Sequence, residues 1–348
     1  MRAIRLRTEY LDRPLGLGIA RPRFSWNCEG GRTQTAYRIL ATRDGATVWD
    51  SGKVASSRMT HIAYEGHELA SRDRVDWSVT LWDEADAAGE PSATWFELGL
   101  LDPQDWTARW IAGDVPLKKH TRHPVDCFRT TFRTRGAIAR ARLYATACGV
   151  YDTHLNGRRV GEFRLAPGST DYRKRLQYQA FDVTELLTGD NRLEFRLADG
   201  WYRGSVGAYG PTNVFGRQTK LLAQLEITYA DGTSQVVMTD NSFAWSNDGP
   251  IRFADLKDGE IVDANLAPSY AAKAKLAKPG VLPTESDNVE PREQEEFTPA
   301  LLTTPSGARV LDFGQNIAGF VGFTVTAMRG QTITLRLGEM LDEGGGFT

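Results

Sequence analysis

Positions 197–204 read LADGWYRG, placing an acid (Asp199), two adjacent aromatics (Trp201, Tyr202) and an arginine (Arg203) between two glycines, just after the apolar run RLEFRL. A half-buried strand carries its large side chains on alternate residues. A paired aromatic beside charges therefore marks a loop where a strand ends. The chemistry such a loop can do is saccharide recognition. The C–H faces of a sugar stack on Trp or Tyr, and its hydroxyls pair with Asp, Asn and Arg. Loops at one end of a rigid sandwich are the usual carriers of such groups. The competing reading keeps Trp201 in the core, makes a turn of Asp199-Gly200 and leaves Arg203 in solvent.

Other polar constellations are less pointed. Asn156 in HLNGRRV sits where a type I′ hairpin needs positive φ at two positions, and a sugar contact is its minority reading. STDYRKRLQYQ gathers Asp171, Tyr172, Arg173, Arg175 and Tyr178. Read as a strand, it puts Arg173 and Arg175 on one face and Tyr172 on the other, so a solvated edge is the plain interpretation. His120 and His123 lie in a polar loop with no cysteine partners in it, and Cys28, Cys127 and Cys148 are too far apart in sequence for a metal cluster or a disulfide framework. No phosphate-binding glycine loop, dinucleotide fingerprint or H-E-x-x-H metal motif occurs.

The elements that must hold these residues are strands. The runs YRILAT, VDWSVTLW, ARLYATACGVYDTHL, NRLEFRL, KLLAQLEITYADGTSQVVMTD, FVGFTVTAM and QTITLRLGEM alternate with period two, divided by NGR, GDN, ADG and RG. EITYADGTSQVVM predicts a hairpin around Asp231-Gly232. Only DVTELLTGDN offers a short helical turn. The expectation is an all-β chain of several sandwiches.

Its 348 residues suggest two or three domains. The net charge of −2, from 42 basic and 44 acidic residues, gives no bulk attraction to nucleic acid or membrane. No apolar run approaches the ~20 residues of a membrane span, and MRAIRLRTEYL lacks the apolar core of a signal peptide, so a cytoplasmic location is expected. Composition divides the chain into 1–108, 109–270, a Pro-, Lys- and Glu-rich linker at 271–299, and an incomplete strand set at 300–348 that makes the chain read as truncated.

Several stretches together resemble one family. PLGLGIARPRFSWNCEGGRTQTAYRILATR, with VWDSGKV and VDWSVTLWDEADAAGEPS, is similar to the fibronectin type III-like front domain of bacterial α-L-rhamnosidases. YDTHLNGRRVGEFRLAPGSTDYRKRLQYQAFDVTELL, LADGWYRG and GPIRFADLKDGEIVDA resemble their jelly-roll module, and VLDFGQNIAGFVGF with LRLGEMLDEGG resembles the start of the next sandwich. The resemblance implies tandem β-sandwiches, fibronectin type III-like then jelly roll, with rhamnose-containing glycosides or polysaccharides as partners. It also implies a rhamnose site whose loop acid, here Asp199, lies beside the sugar and a bound calcium; on the residues themselves Trp201 or Tyr202 would offer a ring to the sugar's apolar face and Arg203 would brace the loop. Asn213, Asn247 and Pro250 would add hard oxygen donors at the same end, the kind calcium takes.

The family's catalytic (α/α)6 barrel has no counterpart here, so its glycosidase activity is carried onto no residue of this chain. The acids point the same way. An inverting glycosidase needs two carboxylates ~6.5–9.5 Å apart, whereas Asp152, Asp171, Asp182, Asp255, Asp258 and Glu260 mostly sit in turn-like contexts where they cap or bend the backbone. The reading from other classes is a free-standing lectin-like or adhesive protein, or a structural spacer whose Trp-rich loop is core.

Overall fold

In a computed structural model, which describes residues 1–115 and 122–347, the alternating runs before Pro291 form strands in two packed sandwiches that together make one compact unit, Met1–Glu290. The first sandwich pairs a sheet ordered Leu15–Leu17, Ser92–Leu98, Arg74–Trp82, Ala36–Arg43, Ala46–Asp50 with a three-stranded sheet of Arg2–Thr8, Arg23–Glu29 and Ile62–Ala63. Period two explains the burial. Along Arg74–Trp82, Val75, Trp77, Val79 and Leu81 turn inward, while the residues between them face outward. Trp77 stacks on Phe24 at 4.3 Å between ring centroids, at the centre of the core.

The second sandwich has the larger core. One sheet runs Lys275–Leu276, Ile111–Ala112, Lys220–Tyr229, Ile138–Cys148, Leu176–Asp182, Pro283–Glu285, with Ser234–Met238 paired to Lys220–Tyr229 as the expected hairpin. The other runs Arg158–Arg159, Val150–Leu155, Asp190–Ala198, Asp126–Arg133, Ala244–Ser246, Ala272–Lys273. Leu143, Ala145, Phe128, Phe195, Leu225 and Ile227 fill the space between them. Among the described residues helix is confined to single turns at Pro103–Asp105, Thr184–Leu186 and Gly200–Arg203, and no helix is long and apolar enough to cross a membrane.

Two expectations change. The 271–299 segment does not begin as a linker: Ala272–Lys273, Lys275–Leu276 and Pro283–Glu285 each add a strand to the second sandwich. Short edge strands need few apolar residues, because backbone hydrogen bonds and one covered face suffice, and so composition hid them. In the unit from Pro291 onward, Ala300–Thr303 pairs with Arg309–Asp312. FVGFTVTAM and QTITLRLGEM form no strand, and Phe320, Phe323, Val325, Leu337 and Met340 are exposed. Alternation makes a strand only where a neighbour completes the hydrogen bonds and a second layer covers the apolar face; a two-stranded hairpin supplies neither to these runs.

Charged side chains join the two sandwiches. Glu97 of the first, fully buried, accepts from Nε and Nη2 of Arg142 of the second at 2.7 and 2.8 Å. Arg72 reaches both Asp105 and Glu226 at 2.6 Å. The amide of Leu100 donates to the Tyr178 hydroxyl at 2.7 Å.

Candidate functional site

Asp199 follows directly on the strand Asp190–Ala198, and the chain turns there because Gly200 permits it. Gly200 has φ +51°, and a Cβ on it would lie 2.4 Å from Val150 Cγ2 and 2.8 Å from the Val150 nitrogen. Left-handed geometry and close backbone approach together demand glycine. One helical turn follows, closed by Arg203 N–H to Asp199 O (3.1 Å) and Gly204 N–H to Gly200 O (3.0 Å). That turn puts Asp199 and Arg203 at i and i+4, on one face. Arg203 Nε donates to Asp199 Oδ1 at 2.7 Å and Nη2 lies 2.6 Å from the same oxygen, both side chains being buried.

This pair belongs to a larger buried polar group. Asp126 accepts from Trp245 Nε1 (2.9 Å) and Thr219 Oγ1 (3.0 Å). Burial pushes the Asp126 carboxyl above the usual aspartate value, against the hydrogen bond from Trp245 and the charge of Arg203. Burial also raises Asp199, opposed by Arg203 and His123 and reinforced by Asp255. Arg203 thus bonds Asp199 directly and acts on Asp126 through its charge alone.

The aromatic pair divides between inside and outside. Tyr202 is buried, edge-on to Tyr172 with centroids 5.4 Å apart, and Tyr172 meets Phe215 at 5.2 Å. Trp201 packs against the same cluster but is only half-buried. Arg173 lies over Phe215 at 5.4 Å and is bound by Asp171 at 2.8 Å. The return arm is pinned by Asn213 N–H to Arg203 O (2.8 Å) and Phe215 N–H to Tyr202 O (3.3 Å). Ser205 fastens the other end, its N–H to Asp255 Oδ2 and its hydroxyl to Asp258 Oδ2, each at 2.7 Å.

Asp199, Trp201, Tyr202 and Arg203 are therefore together, in unequal roles: three face inward and brace the loop, and the Trp201 ring is the one left at its lip. Arg203 is not solvated, because the helical turn aims it at Asp199. Nor do Asp171 to Lys174 form a strand edge. They make a turn, with Lys174 N–H on Asp171 O at 2.8 Å, that buries Tyr172. Asn156 belongs elsewhere. It and Gly157 form a turn with φ +55° and +79°, and its side chain is spent on Leu186 O, Asn191 Oδ1 and Arg192 N–H at 2.8–2.9 Å. Val150 abuts Gly200, and Asn156 lies beyond the other end of Val150–Leu155, about 20 Å away at ~3.3 Å per residue.

One oxygen on each of Asp199, Asn247 and Pro250 is engaged by an N–H donor. Asp199 Oδ1 holds Arg203, the Asn247 carbonyl accepts from Arg252 Nη1 (2.8 Å), and the Pro250 carbonyl accepts from Asp263 N–H (2.8 Å). A dication needs six to eight oxygens turned toward it, and Gly200 has no room for a side-chain ligand. The set does not fit calcium. Among the described residues no three His, Cys, Asp or Glu gather as a metal site. His120 lies outside the described residues.

Comparisons with known proteins agree with this architecture. The chain matches the Rha78A-like N-terminal immunoglobulin domain over residues 3–102, the α-L-rhamnosidase N-terminal domain over 136–299, and the bacterial α-L-rhamnosidase concanavalin-like domain over 302–348. An α-L-rhamnosidase of Alteromonas sp. is 34% identical over 96% of this chain, which spans 40% of that protein. The solved α-L-rhamnosidase of Aspergillus terreus superposes with a TM-score of 0.85 at 31% identity, covering 91% of this chain and 39% of its own. That of Streptomyces avermitilis, solved complexed with L-rhamnose, gives 0.83 at 27% identity over 91% of this chain and 49% of its own.

Proposed function

The chain belongs to the bacterial α-L-rhamnosidase family, whose N-terminal domains it carries in order, and on that premise we propose that its second sandwich holds rhamnosyl units against the Trp201 ring. In this reading the chain delivers rhamnose-containing glycosides or polysaccharides to a hydrolase that removes terminal α-L-rhamnose, and it performs no hydrolysis itself. The observation that carries the proposal is the half-buried Trp201 on a loop fixed from beneath by the buried Asp199–Arg203 pair. A methylpentose presents an apolar face to such a ring, and a rigid support limits the entropy lost on binding. That the Streptomyces avermitilis relative was solved with L-rhamnose supports the choice of sugar.

One ring contributes on the order of 1–3 kcal/mol if nucleobase platforms are a fair guide, so affinity for a single sugar should be weak. Calorimetric titration of L-rhamnose into the wild type and Trp201→Ala, first with calcium and then with chelator, tests the reading. We expect saturable heat from the wild type in both buffers and none from Trp201→Ala. Absence of heat from the wild type in both buffers, or undiminished binding by the variant, rejects the site. Loss of binding with chelator alone rejects the metal-free form and returns calcium to the loop.

A further inference from the structure

Away from that loop, a cavity of about 580 Å³ opens at the seam of the two sandwiches, lined by Arg74 of the first and by Arg140, Arg142, Arg159, Asp182 and Glu185 of the second. The arginines differ in what they have left to give. Arg142 is consumed by Glu97 and by Asp182, whose Oδ1 is 2.9 Å from Nη1. Arg159 donates to the carbonyls of Gly161 and Phe163 at 2.8 and 2.9 Å. The Arg74 guanidinium carbon lies over the Trp95 ring at 4.3 Å from its centroid, and its ion pair, to Asp76, is loose at 3.7 Å, which leaves it N–H donors to spare. Arg140 has one weak bond, to the Arg72 carbonyl at 3.3 Å, and stands 4.0 Å from Glu97.

We propose that this cavity binds a sugar carboxylate, a uronic acid residue, with Arg74 and Arg140 taking the carboxylate. Two guanidiniums with spare donors, one from each sandwich, match the paired oxygens of a carboxylate. The lining also holds what a bare anion would not need: exposed Glu185, and the Gly161 backbone, which suit ring hydroxyls. Mixed signs in a cavity of sugar size fit an acidic monosaccharide unit better than an inorganic ion.

The test is titration of the 348-residue chain with D-glucuronate and D-galacturonate, with D-glucose and with sodium sulfate, all at one ionic strength. At least one uronate should give saturable heat, while glucose and sulfate give none or bind at least tenfold more weakly. Losing a charge-assisted hydrogen bond should weaken uronate binding about tenfold in Arg74→Gln and in Arg140→Gln. Both residues are partly exposed, so both variants should fold, and their melting curves verify it. Trp201→Ala should bind uronate as the wild type does, which separates this cavity from the rhamnose loop. Silence with both uronates, unchanged affinity in the two arginine variants, or sulfate binding as tightly as uronate would each overturn the proposal.

Discussion

Asp199 and Arg203 take each other out of water, and so they are worth most when one is lost. Removing one member of a buried pair typically costs about 3–5 kcal/mol, because the other charge stays buried without compensation. Asp199→Ala should therefore lower the urea midpoint more than Trp201→Ala, whose half-buried ring forfeits less than the ~3–5 kcal/mol of a fully buried tryptophan. Binding should rank them the other way, with Trp201→Ala abolishing it while still folded. Asp126 carries a pH signature. Its folded-state value is raised by burial above the ordinary 3.8. A raised carboxyl contributes stability that is fully present below 3.8 and is lost as pH rises through the folded value. Asp126→Asn accepts the same Trp245 bond without the charge, so it should equal or exceed the wild type at neutral pH, and the gap should shrink in acid. A gap that widens on acidification would show Asp126 to be stabilised as the anion.

At the scale of elements, Gly200 sets where the strand Asp190–Ala198 ends and the loop begins. A methyl group there meets Val150 at both side chain and backbone, with φ at +51°. Gly200→Ala should cost on the order of 1–3 kcal/mol through strain at that residue, and it should weaken rhamnose binding without touching the ring. A variant with wild-type melting and binding would mean that the turn tolerates a side chain. How much of this was legible follows from the range of each interaction. Strands were readable because period two is local, as in Val75, Trp77, Val79 and Leu81. The Asn156-Gly157 turn was readable because its signal is two adjacent residues. The loop LADGWYRG stood out in the sequence by its residue types, but which of its side chains turn inward did not. Arg203 turned inward because a helical turn brought Asp199 beneath it, and Tyr202 because Tyr172 and Phe215 arrived from distant segments. Trp245 and Thr219, which satisfy Asp126 from 119 and 93 residues away, left no mark in the sequence near Asp126.

At the scale of the whole molecule, Met1–Glu290 holds two complete cores joined by buried ionic groups. Glu97 has no exposure and Arg142 little, so while the sandwiches are joined each relies on the other rather than on water. Separation must expose both or leave each without its partner, and this couples the two cores. The expected calorimetric trace for this unit is one transition. Glu97→Ala breaks the bidentate pair and leaves Arg142 with Asp182 alone; the trace should then split, the first sandwich melting earlier. A buried ion pair is often no better than well-packed apolar side chains of similar size. Glu97→Leu combined with Arg142→Met should therefore restore a single transition near the wild-type temperature, although each change alone is damaging. Recovery in the double variant would locate the coupling in desolvation of the seam. Failure of the double variant, with both single variants split, would locate it in the geometry of the two hydrogen bonds. A wild type that already melts in two steps would show that the seam does not couple the cores at all.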